Sequence, residues 1–82
     1  MIIRRAFVSE LDAYVWANAA EYVGGMVISI VYVPPTTVTF LNYTGWRVFV
    51  RVDNIHVTRA TVDTRYEQIA QSVEHRRDFE TH

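Results

Sequence analysis

The sequence predicts a small α+β domain in the order β-α-β-β-β-β-α, with a mostly antiparallel sheet and helices packed on one face. Three observations carry that reading: a capped amphipathic stretch after residue 9, β-branched and aromatic runs on either side of it, and a second helical stretch near the C-terminus. Helices that do not alternate regularly with strands cover one side of a sheet and leave the other open.

Ile2–Val8 is β-branched and aromatic and reads as a strand. Ser9 then offers an N-cap, with Glu10 and Asp12 in the first turn facing the positive end of the helix dipole. From Leu11 to Val23 the spacing is helical. Leu11, Val15, Trp16, Ala19, Ala20, Tyr22 and Val23 fall on one half of the wheel, and Glu10, Asn18 and Glu21 share the other with Tyr14. Gly24 and Gly25 stop the helix, since glycine enters the left-handed region without steric penalty. Met26–Val33, broken only by Ser29, suits a strand buried on both faces and central in the sheet. Pro34-Pro35 ends it, because proline cannot donate to a ladder.

Thr36–Tyr43 and Trp46–Val52 flank Thr44-Gly45, a short glycine loop that predicts a tight hairpin. That register pairs Tyr43 with Trp46, Leu41 with Val48, Thr39 with Val50 and Phe40 with Phe49. Asp53-Asn54 suits left-handed conformations and leads into a strand Ile55–Val62, which sets Val52 opposite Ile55, Val50 opposite Val57 and Arg51 opposite His56. The two turns agree on facing. Leu41, Tyr43, Trp46, Val48, Val50, Val52, Ile55 and Val57 form the core side. Val38, Phe40, Asn42, Arg47, Phe49, Arg51, His56, Thr58 and Ala60 form the open one. The last helix begins at Thr64 with a Thr-x-x-Glu box to Glu67 and a thin stripe of Tyr66, Ile69, Ala70 and Val73. His75, Arg76 and Arg77 oppose the negative dipole near its end, and residues 78–82 read as a frayed tail. The opening strand-helix-strand-strand resembles the start of a ferredoxin-like fold without a strand after the last helix. That resemblance is topological and implies no functional residue.

Eighty-two residues make a single domain. The absence of cysteine excludes disulfides, thiolate metal sites and cysteine nucleophiles. A net charge of −1 gives no global attraction to nucleic acid or membranes. All eight basic residues are arginine, so every cation is a planar fork suited to carboxylates, phosphates and aromatic faces. MIIRRAFV is too short for a signal-peptide core, and MVISIVYV is far below the ~20 residues that span a bilayer. A cytoplasmic protein without a membrane partner is expected.

No cofactor or metal site is expected, since His56, His75 and His82 share no ligand spacing. Ser9, Ser29 and Ser72 read as cap, strand and helix-surface residues, and no glycine-rich phosphate loop precedes a helix. A non-enzymatic binding role remains. The partner-binding candidates are Phe40, Arg47, Phe49, Arg51 and His56 on the open sheet face, with Arg76 and Arg77 as a secondary patch. Tyr14, Trp16 and Tyr22 on the first helix serve either core packing or an interface. The expected partner is a protein or a second copy of the chain. A single-stranded nucleic acid stacked on the phenylalanines and a structural role in a homo-oligomer such as a dimer are the alternatives. In its small size, lack of motifs and lack of lysine the chain is similar to accessory proteins of phages and mobile elements, among them inhibitors of host defence such as anti-CRISPRs. That likeness implies a stoichiometric inhibitor of a host system.

Overall fold

The computed structural model describes residues 1–34 and 45–80, with side chains as far as residue 72. Within these residues the order is β1 (Ile2–Phe7), α1 (Glu10–Tyr22), β2 (Met26–Val33), β3 (Gly45–Arg51) and α2 (Arg59–Glu80). The strands form one antiparallel sheet in the order β1-β3-β2. β1 and β2 therefore run in the same direction, joined through α1, with β3 inserted between them as a split βαβ unit.

The α1 capping signals act as the sequence implies. Ser9 is extended (φ −96°, ψ 133°) and its Oγ accepts from the Asp12 amide at 3.4 Å. At the other end Gly24 has φ +101°, a left-handed stop. The buried side of α1 is Ala13, Trp16, Ala17, Ala19 and Ala20. It is rotated from the expected stripe: Leu11 and Tyr22 face solvent, and Ala13 and Ala17 are buried in their place. Alanines let the helix backbone approach the sheet closely. The one large buried side chain, Trp16, fills the space that remains at 0 % exposure. Burying an indole of this size contributes on the order of 5 kcal/mol.

β3 is the central strand, which corrects the expectation that β2 would be. Ladders occupy both of its sides: Ile3↔Val50, Arg5↔Val48 and Phe7↔Trp46 with β1, and Val27↔Val50, Ile30↔Val48 and Tyr32↔Trp46 with β2. The sequence reading places a hairpin strand over 36–43 against β3, with Phe40 facing Phe49. Residues 35–44, where that strand was expected, lie outside the described residues. Gly45 takes φ +114° against the β1 end, where a Cβ would collide with the Phe7 carbonyl oxygen. Among the described residues β2 lies at a sheet edge, with a register shift between Val27 and Ser29, and Met26, Ile28, Val31 and Tyr32 are exposed. A continuous apolar run looks the same in sequence whether it is buried on both faces or lies at an edge.

The strand expected over Ile55–Val62 is absent. After Val52 the chain makes a turn in which Asn54 Oδ1 accepts from the His56 amide at 2.9 Å and Val57 N–H donates to Asn54 O at 3.0 Å. No non-glycine residue among those described has positive φ, so Asp53-Asn54 is not a left-handed loop. α2 then starts at Arg59, five residues before the expected Thr64. Its cap is reciprocal: Thr58 N–H donates to Thr61 Oγ1 at 3.1 Å, and Thr61 N–H to Thr58 Oγ1 at 3.4 Å. Thr64 is one turn inside, with its hydroxyl donating to Ala60 O at 2.9 Å. The β-branched Val57, Thr58, Thr61 and Val62 imitate a strand. Tertiary burial of Val57 and Val62 at one helix entrance overrides that propensity. Ile55, expected in the core, is 85 % exposed.

Candidate functional site

Antiparallel partners share a sheet face, so the ladder register sorts the strands into two surfaces. The inner rows are Ile3–Val50–Val27, Arg5–Val48–Ile30 and Phe7–Trp46–Tyr32, with Val48 and Val50 at 0 % exposure beneath α1. The outer rows are Ile2–Arg51–Met26, Arg4–Phe49–Ser29 and Ala6–Arg47–Val31. The aliphatic side of β3 therefore faces inward, and Arg47, Phe49 and Arg51 face outward together, as the alternation of the strand implies.

Three further residues join them that the sequence reading did not select. Ile2 is 62 %, Met26 64 % and Val31 43 % exposed, each level with an arginine of β3. A fourth, Arg4, stands directly beside Phe49. Arg47 and Phe49 are half-buried, while Arg4 and Arg51 are exposed. Arg51 Nε lies 3.3 Å from Asp53 Oδ1 in an ion pair exposed on both sides, so water screens most of its strength. The alternation within Ile2–Phe7 held the missing signal. Ile3 and Phe7 mark the inner side, which assigns Ile2, Arg4 and Ala6 to the outer one.

His56 does not belong to this surface, because it sits in the exposed turn before α2 rather than on a strand. Phe40 lies outside the described residues. Arg76 and Arg77 fall within α2, and their side chains lie outside the described ones. Trp16 is core, whereas Tyr22 is 71 % exposed with the Arg65 guanidinium carbon 3.8 Å above its ring.

The inner face holds the other cluster of charge. Arg5 Nη1 and Trp16 Nε1 both donate to Asp63 Oδ1 at 2.8 Å, and Arg59 Nε approaches Oδ2 at 3.7 Å. The Arg5 guanidinium carbon is 4.8 Å from the Phe7 ring centroid and 5.1 Å from that of Tyr66. Burial first, and the neighbouring Asp12 carboxylate second, hold the Tyr66 hydroxyl above the usual phenol range. These groups saturate one another and fasten α2 to β1 and α1.

Among the described residues no group of three metal-ligating side chains forms, and no helix is long and apolar enough to cross a membrane. The outer face has no carboxylate, lysine or histidine on its strands, and Ser29 has no base in its row. The described strand residues of this face are cationic and apolar apart from Ser29.

The chain matches no family model, no curated protein and no solved structure.

Proposed function

We propose that the chain is a non-enzymatic protein-interaction module that acts by stoichiometric contact through the outer face of its sheet. The observation that carries this is the grouping of exposed Ile2, Met26 and Val31 in one surface with arginines and Phe49. Exposed apolar residues scattered singly are ordinary, but apolar residues gathered on one face among arginines are the usual composition of an interface. An inhibitor of a host system, of the kind that phages and mobile elements encode, is the form of module that the small size and absence of motifs fit best. Photo-crosslinking separates this face from the rest. A photoreactive amino acid at position 26 should capture a discrete partner in the cells that encode the chain, and the same group at position 14 on α1 should not. Capture from position 14 alone would reject the outer face as the contact surface.

A second reading is favoured by the free edge of β2. Among the described residues β2 pairs with β3 alone, and its eight residues MVISIVYV contain no charge and no proline. The β1 edge carries Arg4 and Arg5. Sheet edges without charge pair readily with other strands, so β2–β2 pairing would join two copies in one continuous sheet. Light scattering on the eluting protein should then give twice the chain mass, reverting to one chain for Ile28→Lys. A single-chain mass for the unaltered protein would exclude it.

A further inference from the structure

The acidic residues of this molecule are kept off its strands. Of the nine acidic residues, Glu10, Asp12 and Glu21 lie in α1, Asp63, Glu67, Glu74, Asp78 and Glu80 in α2, and Asp53 alone in a turn. The strands hold Arg4, Arg5, Arg47 and Arg51 and no acidic residue, and the sequence between Val33 and Gly45 holds no charge at all. α2 also holds Arg59, Arg65, Arg76 and Arg77 against its five carboxylates, so the net charge of −1 combines strands at +4 with α1 at −3, α2 at −1 and Asp53 at −1. Arg5 is neutralised on the inner face by Asp63 at 2.8 Å. Arg4 has no carboxylate partner among the described residues, and Arg51 has only the exposed Asp53 at 3.3 Å.

Resting on the reading of this face as the contact surface, we infer that its partner is a protein segment bearing carboxylates at alternate positions of an extended strand, with apolar side chains beside them. Register supplies the spacing. Arg4 lies level with Phe49, so Arg51, two residues along β3, is its diagonal neighbour. Diagonal neighbours on one face stand about 7–8 Å apart, and alternate residues of an extended peptide about 6.7 Å apart. Two guanidinium groups can thus each meet one carboxylate of a Glu-x-Glu segment in the forked geometry that arginine favours. Ile2 and Met26, flanking Arg51 in its row, provide the apolar contact beside the charges.

A second copy docked face to face is disfavoured, because it would bring the same arginines together. A single-stranded nucleic acid meets the cations but finds, among the described residues, one half-buried aromatic, Phe49, rather than a row of stacking platforms. The carboxylates of α1 also repel a long polyanion more than a short acidic segment, whose charges act within about one Debye length of the arginines.

Fluorescence anisotropy tests the inference with three labelled probes: a decapeptide with a Glu-Ser-Glu centre and valine two residues beyond each glutamate so that all four share a face, the same peptide with glutamine for glutamate, and a thymidine dodecamer single strand. The glutamate peptide should bind, and the glutamine peptide should bind roughly tenfold more weakly or not at all. The Arg4→Glu, Arg51→Glu double variant should lose the glutamate peptide while keeping its thermal midpoint, since both side chains are exposed. Equal binding of the two peptides, or unchanged binding by the double variant, overturns the carboxylate assignment. Tighter binding of the thymidine strand overturns the partner class, and no binding of any probe overturns the inference altogether. In each case the crosslinking at position 26 still decides independently whether this face is the contact surface.

Discussion

Arg4 and Arg5 are neighbours in sequence and opposites in circumstance. Arg5 points to the inner face, bonds Asp63 at 2.8 Å and lies against the rings of Phe7 and Tyr66. Arg4 points to the outer face, exposed beside Phe49, without a carboxylate partner among the described residues. One peptide unit thus separates a structural cation from a cation available for recognition. Arginine content alone therefore says little about binding, since the pleat decides which arginine the fold consumes and which it leaves in solvent. The same division runs along β3, where Val48 and Val50 are fully enclosed and Arg47, Phe49 and Arg51 line the other side.

The strongest way to break this comparison is to exchange the faces. Val48→Arg would bury a charge directly opposite Arg5 in the ladder, combining desolvation with like-charge repulsion. A cost of about 4–5 kcal/mol is expected, enough to remove a cooperative unfolding transition from a domain this small. Val31→Arg, level with Arg47 on the outer face, should shift stability by no more than about 0.5 kcal/mol. Urea unfolding followed by circular dichroism distinguishes them, and similar midpoints for the two variants would mean that the face assignment is wrong. The next largest effect belongs to Asp63. Asp63→Ala leaves the Trp16 indole N–H and the Arg5 guanidinium without their shared acceptor. Because the Asp63 side chain is 29 % exposed, water offsets part of the loss, and about 2–3 kcal/mol is expected rather than the larger cost of a fully buried pair. Arg4→Ala should be nearly silent in the same assay. A destabilisation by Arg4→Ala equal to that of Asp63→Ala would erase the distinction between the two arginines.

Local signals in the sequence were legible where they were self-sufficient. Ser9, the acidic first turn and Gly24 fix α1 because caps act through hydrogen bonds within a few residues. The outward set Arg47, Phe49 and Arg51 followed from alternation along a single strand. Strand order did not follow from local pattern, because it depends on which ladder fills each side of β3. The crossover through α1 brings β1 to one side and β2 to the other, and no tight hairpin signal reports this. α2 was misread at its start because Thr58 and Thr61 cap each other where a Glu would ordinarily complete the box, and the surrounding β-branched residues favour a strand locally. The Asp63 cluster went unrecognised for a related reason: its members are 47 and 58 residues apart in sequence and meet only once α2 packs on α1 and β1.

The smallest expected effect sharpens the account of the inner face through its pH dependence. Tyr66 packs against Phe7 with ring centroids 5.6 Å apart, and burial and the Asp12 carboxylate raise its pKa, with Arg5 acting in the opposite direction and Glu67 reinforcing the rise. The folded state therefore holds the phenolic proton more tightly than the unfolded chain does. This contribution to stability is fully present below the unfolded value of about 10 and is lost as pH rises through the higher folded value, because unfolding then releases a proton. Tyr66→Phe keeps the ring contact but removes the ionisable hydroxyl. Below about pH 9 the variant should be less stable by about 0.5–1.5 kcal/mol, the ordinary net worth of one hydrogen bond. Above pH 10 the gap between the two thermal midpoints should close. Arg5 retains its charge throughout this range, so the closure reports the hydroxyl and not the ion pair. A gap of constant size from pH 8 to 11 would place Tyr66 outside the network that fastens α2 to the sheet.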